Sequence, residues 1–527
     1  MSELTGTSTL TRFVVRRDRV RIVVWVAAIA ALVALTAASI KGLYPTQADL
    51  DTTAAASKGN AAAIAFNGPV QGLDTIGGQV AFQSGAMGMV VAALMSLLTI
   101  GRLTRGEEEA GRLELLRSLP VGGHAPTAAA SLTVLAMNVA AGLLVTIALL
   151  AQDLAVAGSI AFGLSFTLVG LMFAAVAAVA AQVTENTRVV YGISGAVLAI
   201  SFVVRAVCDI GDGTVSWFSP IGWAQKTRPF AGEQWWPFLL LLAATAGLAA
   251  VARSLAARRD LGGGLVQPRK GKPMASPGLG HPLGLAIRLQ RGSLIGWSVG
   301  IFLAGAAYGS IANSIDTFVR DNKALADVLA RAGGNSLTDS YLALCLRILA
   351  LIGTGFAIQS IVRLRSEETS LRAEPLLATP VSRWRWAASH LIVAFAGSVV
   401  VLTAAGLATG LGYGIVSGDL GVAPRILGAA LAYVPAMWLL IGLSVAIVGL
   451  APRAIVAAWA ALGMCIVIGM LGELLDLPGW MKSISPFGHV PQLPVADLTV
   501  MPLGVLTIIA AVLTAAGLSG LRRRDIG

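Results

Sequence analysis

The stretch RGEEEAGRLELLRSLPV, Arg105–Val121, returns 260 residues later as RSEETSLRAEPLLATPV, Arg365–Val381. At that offset Arg105, Glu107, Glu108, Arg112, Glu114, Leu116, Pro120 and Val121 match Arg365, Glu367, Glu368, Arg372, Glu374, Leu376, Pro380 and Val381. Shorter pairs flank the cassette. Arg16, Arg19 and Trp25 parallel Arg288, Arg291 and Trp297; SPIGW from Ser219 parallels SPFGH from Ser485; RRDLG from Arg258 parallels RRRDIG from Arg522. Self-similarity on this scale marks a duplicated unit, one copy in each half.

Around both copies the chain is apolar. With 56% hydrophobic residues, 12% charged residues and a mean hydropathy of +0.79, it lies outside the soluble globular range. Apolar runs fall near 20–42, 84–101, 126–150, 155–181, 189–208 and 237–252, then near 293–313, 341–362, 387–411, 424–449, 454–475 and 501–520. Each approaches the roughly 20 residues a helix needs to cross about 30 Å of hydrocarbon, so an all-α polytopic membrane protein with about twelve transmembrane helices is expected. The repeat divides them into two tandem six-helix units, 1–257 and 286–527, joined by a Gly-, Pro- and Lys/Arg-rich linker at 258–285. An even number of spans per unit makes the copies parallel, related by an axis along the membrane normal. The first run follows Arg16, Arg17, Arg19 and Arg21, like a secretory signal, but it is too long for one and has a counterpart in the second half, so it is expected to be a retained span.

The net charge of +11 is distributed by topology. Most Lys and Arg fall in the segments around 12–21, 102–117, 253–291, 363–385 and 522–524, whereas Asp49, Asp51, Asp74, Asp209 and Asp497 fall in the alternate loops. This positive-inside asymmetry predicts that both termini are cytoplasmic. A nucleic-acid surface needs no such alternation, and no nucleic-acid partner is expected. Cys208, Cys345 and Cys465 lie in or beside apolar runs without ligand spacing, and His124, His281, His390 and His489 are scattered, so no disulfide framework and no metal site are expected. The phosphate-binding pattern G-x-x-x-x-G-K-S/T is absent from the sequence, which predicts that this chain binds no nucleotide.

Each cassette falls between the second and third span of its half. Glu108 and Arg112, like Glu368 and Arg372, are spaced i,i+4, a spacing that supports a helix by a few tenths of a kcal/mol. Acids crowd the start of the pattern, where a helix dipole favours them, and Pro120 or Pro380 ends it. Leu113 and Leu116 share a face. The expectation is a short amphipathic helix below the membrane, with an apolar edge and an acidic face. It serves either as a solvated turn or as a docking helix. Repetition of a particular Glu, Arg, Leu and Pro pattern favours docking, because a mere connector needs only polarity.

The segment EETSLRAEPLLATPVSRWRW from Glu367, between the second and third span of a six-span unit, resembles the membrane subunits of type-2 ATP-binding-cassette exporters. The fused, double-length form is similar to actinobacterial polyketide antibiotic and tetronasin-type exporters, and the resemblance covers nearly the whole chain. It implies that Arg105–Pro120 and Arg365–Pro380 are coupling helices contacting a cytoplasmic ATPase, with Arg105, Glu107, Glu108, Arg112, Glu114 and Leu116, and Arg365, Glu367, Glu368, Arg372, Glu374 and Leu376, at the contact. It further implies two copies of that ATPase, with ATP and Mg bound there, and an outer gate that includes Ser219, Pro220, Ser485 and Pro486. Gly111 stands where the second cassette has Leu371, and Leu115 where it has Pro375, so the two docking surfaces are expected to differ.

An alternative is a proton-coupled twelve-helix carrier, which also has two parallel halves. Such carriers place ionisable groups deep in the membrane, and this chain has few. Arg205 and Glu473 lie near the outer ends of their helices and are expected to snorkel or pair at the surface. Arg347 lies deeper and is a candidate for an anionic group of a substrate. Phe162, Phe166 and Phe173 recur near one helical face, and Tyr433 and Trp438 bracket Pro435, which should kink its helix. These aromatics read as core packing or as the lining of a path for hydrophobic or amphiphilic cargo.

Overall fold

The computed structural model describes residues 3–58, 61–210, 215–260, 262–266, 273–312, 337–471 and 478–524. The described residues form helices and connecting turns, with no strand. The chain forms two compact units, Met1–Gly271 and Lys272–Gly527. In the first, the long helices are α1 (Thr7–Leu43), α2 (Ile76–Gly101), α3 (Ala125–Leu150), α4 (Val156–Val183), α5 (Thr187–Ile210) and α6 (Pro237–Ala256). In the second they are α7 (Pro282–Ala312), α8 (Leu337–Thr369), α9 (Arg383–Ser417), α10 (Val434–Leu450), α11 (Val456–Leu471) and α12 (Val500–Arg523). Eleven helical stretches among the described residues are long and apolar enough to cross a membrane, and α11 is a shorter apolar helix at the remaining expected position. The protein is a multi-pass, all-α membrane protein. Helices are the form an isolated span must take, because lipid offers no partner to a free backbone N–H or C=O.

Several helices outrun the apolar runs that announce them. Helix α1 has 37 residues, about 55 Å at the helical rise, and its Arg-rich first turns project beyond the hydrocarbon thickness. Helix α8 continues through Glu367 and Glu368 to Thr369. Glu, Arg and Lys are good helix formers, so a charged stretch ends the hydrocarbon match without ending the helix. Before α10, a nine-residue helix, Ala423–Leu431, stops and the chain restarts at Val434 with Pro435 in the first turn. The kink expected at Pro435 is therefore a break, placed where proline's missing N–H costs nothing.

Inside each unit, glycines seat aromatic rings. A Cβ added at Gly88 on α2 would lie 2.5 Å from the Phe166 ring on α4, and one at Gly397 on α9 would lie 2.5 Å from the Phe356 ring on α8. Phe162, Phe166 and Phe173 are all buried in the core of the first unit, with Phe162 and Phe166 edge to face at 5.1 Å. Helices α3 and α4 meet backbone to backbone at Gly142 and Gly163, the close approach that small residues permit in membranes.

Arg205 departs from the expected snorkelling. It is fully buried, donates to the Ala65 and Phe66 carbonyls at 2.7 and 3.2 Å, pairs with Asp209 at 3.5 Å and lies over the Phe202 ring. The helix Ala61–Asn67 supplies those carbonyls and covers the C-terminal end of α5. Glu473 and, within the linker, residues 261 and 267–272 lie outside the described residues.

Candidate functional site

The two cassettes are built on the ends of α2 and α8. Beyond Gly101, Arg102–Gly106 forms a π-helical turn and Glu107–Glu109 one further turn; Gly111 then adopts φ +70°, and a six-residue helix, Arg112–Arg117, follows. In the second unit α8 runs through Glu368, Leu371 adopts φ +58°, and a short helix covers Glu374–Leu377. Gly111 and Leu371 are matched positions and share the left-handed conformation, which glycine enters freely and a β-carbon penalises by about 1–2 kcal/mol. Leu371→Gly is therefore expected to raise the stability of the second unit by about 1 kcal/mol, read as a higher melting temperature of the purified protein, whereas Gly111→Leu lowers it.

Glu114 and Glu374 lie in the first turns of the short helices, as expected, but the paired glutamates before them do not begin a helix. Glu107, Glu108, Glu367 and Glu368 sit at or near the ends of helices that descend from the membrane, where the dipole disfavours them by about 0.3–1 kcal/mol. Charge-assisted hydrogen bonds, worth about 1.5–3 kcal/mol each, outweigh that cost. Glu108 accepts from Arg105 at 2.6 Å and from both terminal nitrogens of Arg259 at 2.7 and 3.0 Å. Arg105, only 1% exposed, also donates to the carbonyls of Ala181 and Gly263. Glu107 pairs with Arg112 at 2.6 Å and Arg17 at 3.0 Å, while Glu109 accepts from the backbone N–H and hydroxyl of Thr187 at the start of α5.

The second unit repeats the central arrangement. Glu368 accepts from Arg365 at 2.6 Å and from Arg524, the residue after α12; Glu367 pairs with Arg363 at 3.0 Å and, more loosely, with Arg372 at 4.0 Å. Glu107, Glu367 and Glu368 are buried, and the side chain of Glu108 is only 8% exposed. The expected acidic face is thus an internal ion-pair network, and the expected i,i+4 pairs are displaced by one residue: Arg112 reaches Glu107 and Arg372 reaches Glu367, because the left-handed residue rotates the chain between them. Arg259 and Arg524 complete each network and tie it to the segment that follows the sixth span of its own unit. Their signal was the repeated RRD at the end of each half.

The short helices expose a different set. Leu113 and Leu116 share a half-buried side, as their spacing predicts, and Leu376 is likewise half-buried. Arg112, Glu114, Arg372 and Glu374 are exposed, as are Leu115 at 71% and Leu371 at 57%. Each cassette thus presents a well-exposed leucine beside exposed charged residues.

The other candidates are dispersed. Ser219 caps the helix Pro220–Gln225 and donates to the Ser201 carbonyl at 2.7 Å, with Pro220 buried. Ser485 and Pro486 are buried at the start of a single 3-10 turn, Pro486–His489. Tyr433 is buried and stacked on Phe487; Trp438 donates to the Ser398 hydroxyl at 3.1 Å; Arg347 is half-buried near Tyr433. Among the described residues no group of His, Cys, Asp and Glu is placed to hold a metal ion.

Over 528 aligned residues, covering all of this chain and 96% of the relative, the sequence is 41% identical to the multidrug efflux system permease protein Rv1217c of Mycobacterium tuberculosis (strain ATCC 25618 / H37Rv). The chain belongs to the Rv1217c family of efflux permeases. Residues 279–522 also match the family described as the C-terminal domain of the multidrug efflux system permease Rv1217c. That match begins before α7 and ends at the penultimate residue of α12, so it takes in α7 to α11 and nearly all of α12. In this permease family the cassettes are therefore parts of a transport subunit.

Proposed function

We propose that this permease is the membrane subunit of an ATP-binding-cassette exporter in which one fused chain supplies both halves, related as tandem parallel six-helix repeats. Two copies of a cytoplasmic ATPase bind it, hold ATP and Mg, and drive hydrophobic or amphiphilic compounds, drugs and antibiotics among them, out of the cell. Both termini lie in the cytoplasm. The observation that carries this reading is the twice-built cassette: an exposed Leu–Glu–Arg surface backed by a buried Arg–Glu–Arg clamp, Arg105–Glu108–Arg259 in one unit and Arg365–Glu368–Arg524 in the other.

The division of labour follows from burial. Arg112, Glu114, Leu115, Arg372 and Glu374 meet the ATPase, and Leu116 and Leu376 seat the short helices. Glu107, Glu108, Glu367 and Glu368 do not touch the partner; they carry its movement to the first, fourth and sixth spans of the first unit and to the sixth span of the second. Closure of the ATPase dimer then tilts the spans from inward-open to outward-open. Arg347 with Tyr433 beside the break before α10, and Trp438 on that helix, are the pathway candidates of the second unit, and Phe162, Phe166 and Phe173, packed in the core of the first, are those of that unit. The Ser219–Pro220 and Ser485–Pro486 corners form the outer gate.

The test places cysteines at Leu115 and Leu371 and measures cross-linking to the ATPase in membranes. Cross-links at both sites are expected, and charge reversal by Glu114→Lys with Glu374→Lys weakens the complex by up to about tenfold while shifting stability by no more than about 0.5 kcal/mol. Absence of cross-links at either cassette overturns the docking assignment.

A further inference from the structure

A cleft of about 560 Å³ opens in the first unit at the end that carries the cassette. Its floor is apolar: Ile100 of α2, Ala178 of α4 and Ala249, Ala252 and Ala256 of α6. Its rim is charged, and Leu113 of the short helix forms part of the wall. The volume falls within the roughly 300–1,000 Å³ of small-molecule sites.

The second unit closes the same place. When Arg259 is matched to Arg524, Ala252 falls on Gly517 and Leu255 on Gly520. A Cβ at Gly517 would lie 2.4 Å from the Val445 carbonyl oxygen, one at Gly449 1.9 Å from the Gly517 carbonyl oxygen, and one at Gly520 2.8 Å from that of Gly449. There the fourth and sixth spans touch through their backbones. In the first unit, alanines on α4 and α6 stand at the cleft instead, with Gln182 held at its edge by Arg259. The cleft is a specific feature of one unit rather than a general consequence of the fold.

The rim decides the class of occupant. The rim carboxylates Glu3, Glu108 and Asp260 are balanced in number by the guanidiniums of Arg253 and Arg259 and of Arg105 behind Glu108. Arg253 and Asp260 supply one exposed group of each sign. The lining also limits length. It runs one turn along α2 and α4 and about two turns along α6, roughly 6–11 Å of axial depth, less than half of the roughly 30 Å hydrocarbon thickness that phospholipid chains fill from both sides.

We propose that this cleft binds one neutral or zwitterionic amphiphile of drug size, its apolar body against the alanines and its polar end between Arg253 and Asp260. This deepens the permease reading by assigning a cargo class and a holding place. An occupant there touches Leu113 and lies beside Glu108, so cargo and cassette share a wall.

The test uses the full-length chain in nanodiscs and alkylation of an introduced cysteine. Octylphosphocholine, octyltrimethylammonium and octyl sulfate serve as probes below their aggregation concentrations. Saturable protection of Ala178→Cys is expected, about tenfold in rate at ten times the dissociation constant of octylphosphocholine, with the two singly charged probes protecting less. Leu132→Cys, exposed on α3 outside the cleft, is not protected. Ala252→Leu, made together with Ala178→Cys, removes the protection by filling the floor.

Equal protection at both cysteines, or equal protection by all three probes, reports membrane partitioning and overturns the proposal. So does a cleft already blocked by co-purifying phospholipid. The assay contains neither ATP nor ATPase, so its failure leaves the coupling assignment standing, and failed coupling leaves a positive binding result intact.

Discussion

Glu108→Ala is expected to destabilise the first unit by about 3–5 kcal/mol, the cost of leaving buried charges without their counter-charge. The substitution removes a carboxylate between Arg105, which is almost wholly buried, and Arg259. Arg105 keeps its bonds to the Ala181 and Gly263 carbonyls, but neutral acceptors do not cancel its charge. Thermal unfolding of the purified protein should shift down by about 10 °C. Adding Arg259→Met to Glu108→Ala should recover part of the loss, because one of the two stranded cations is gone, and the double-mutant cycle should show coupling well above 0.5 kcal/mol. Glu368→Ala, with Arg524→Met, should behave alike in the second unit. Glu114→Ala, on the exposed face of the short helix, should change stability by no more than about 0.5 kcal/mol. If Glu108→Ala proved as mild as Glu114→Ala, the buried clamp would not be the link between cassette and spans.

The second large effect lies in the second unit. Gly449→Leu or Gly517→Leu inserts a side chain where helices α10 and α12 touch through their backbones. The helices must separate, and overpacking of this kind costs about 1–3 kcal/mol or more. Because the same contact runs through Gly442 and Gly520, separation at one glycine loosens the others. Ala252→Leu, at the position matching Gly517, points into the cleft of the first unit and should be nearly neutral by melting temperature while abolishing protection of Ala178→Cys. A large destabilisation by Ala252→Leu would mean that the cleft is closed in solution.

The spans were legible because hydrocarbon thickness imposes a length and a composition on every crossing helix, and eleven of the expected runs are long helices. Their ends were less so. Thr7–Arg21 and Arg363–Thr369 stay helical although charged, since helix propensity does not require apolarity. The cassette was visible through its repetition; its geometry was not. The i,i+4 spacing suggested Glu108 with Arg112, but left-handed residues at Gly111 and Leu371 shift that register, and Glu108 pairs instead with Arg105 and with Arg259, 151 residues along the chain. Arg205 looked like a snorkelling residue because its distance from the helix end is readable, whereas the helix Ala61–Asn67 that covers it is a long-range feature. For Phe162, Phe166 and Phe173, spacing established a shared face, and only the packing of α2 against α4 identifies that face as core.

The most direct test of the account is transport in proteoliposomes containing this permease with and without the proposed ATPase partner, comparing wild type with Glu114→Lys/Glu374→Lys. Movement of an amphiphilic dye is predicted to require both the ATPase and ATP, to be unaffected by collapse of the proton gradient, and to be lost in the charge-reversed variant although that variant melts like the wild type. Transport that proceeds without the ATPase and follows the proton gradient would contradict it, and the two cassettes would then be connectors in a proton-coupled carrier.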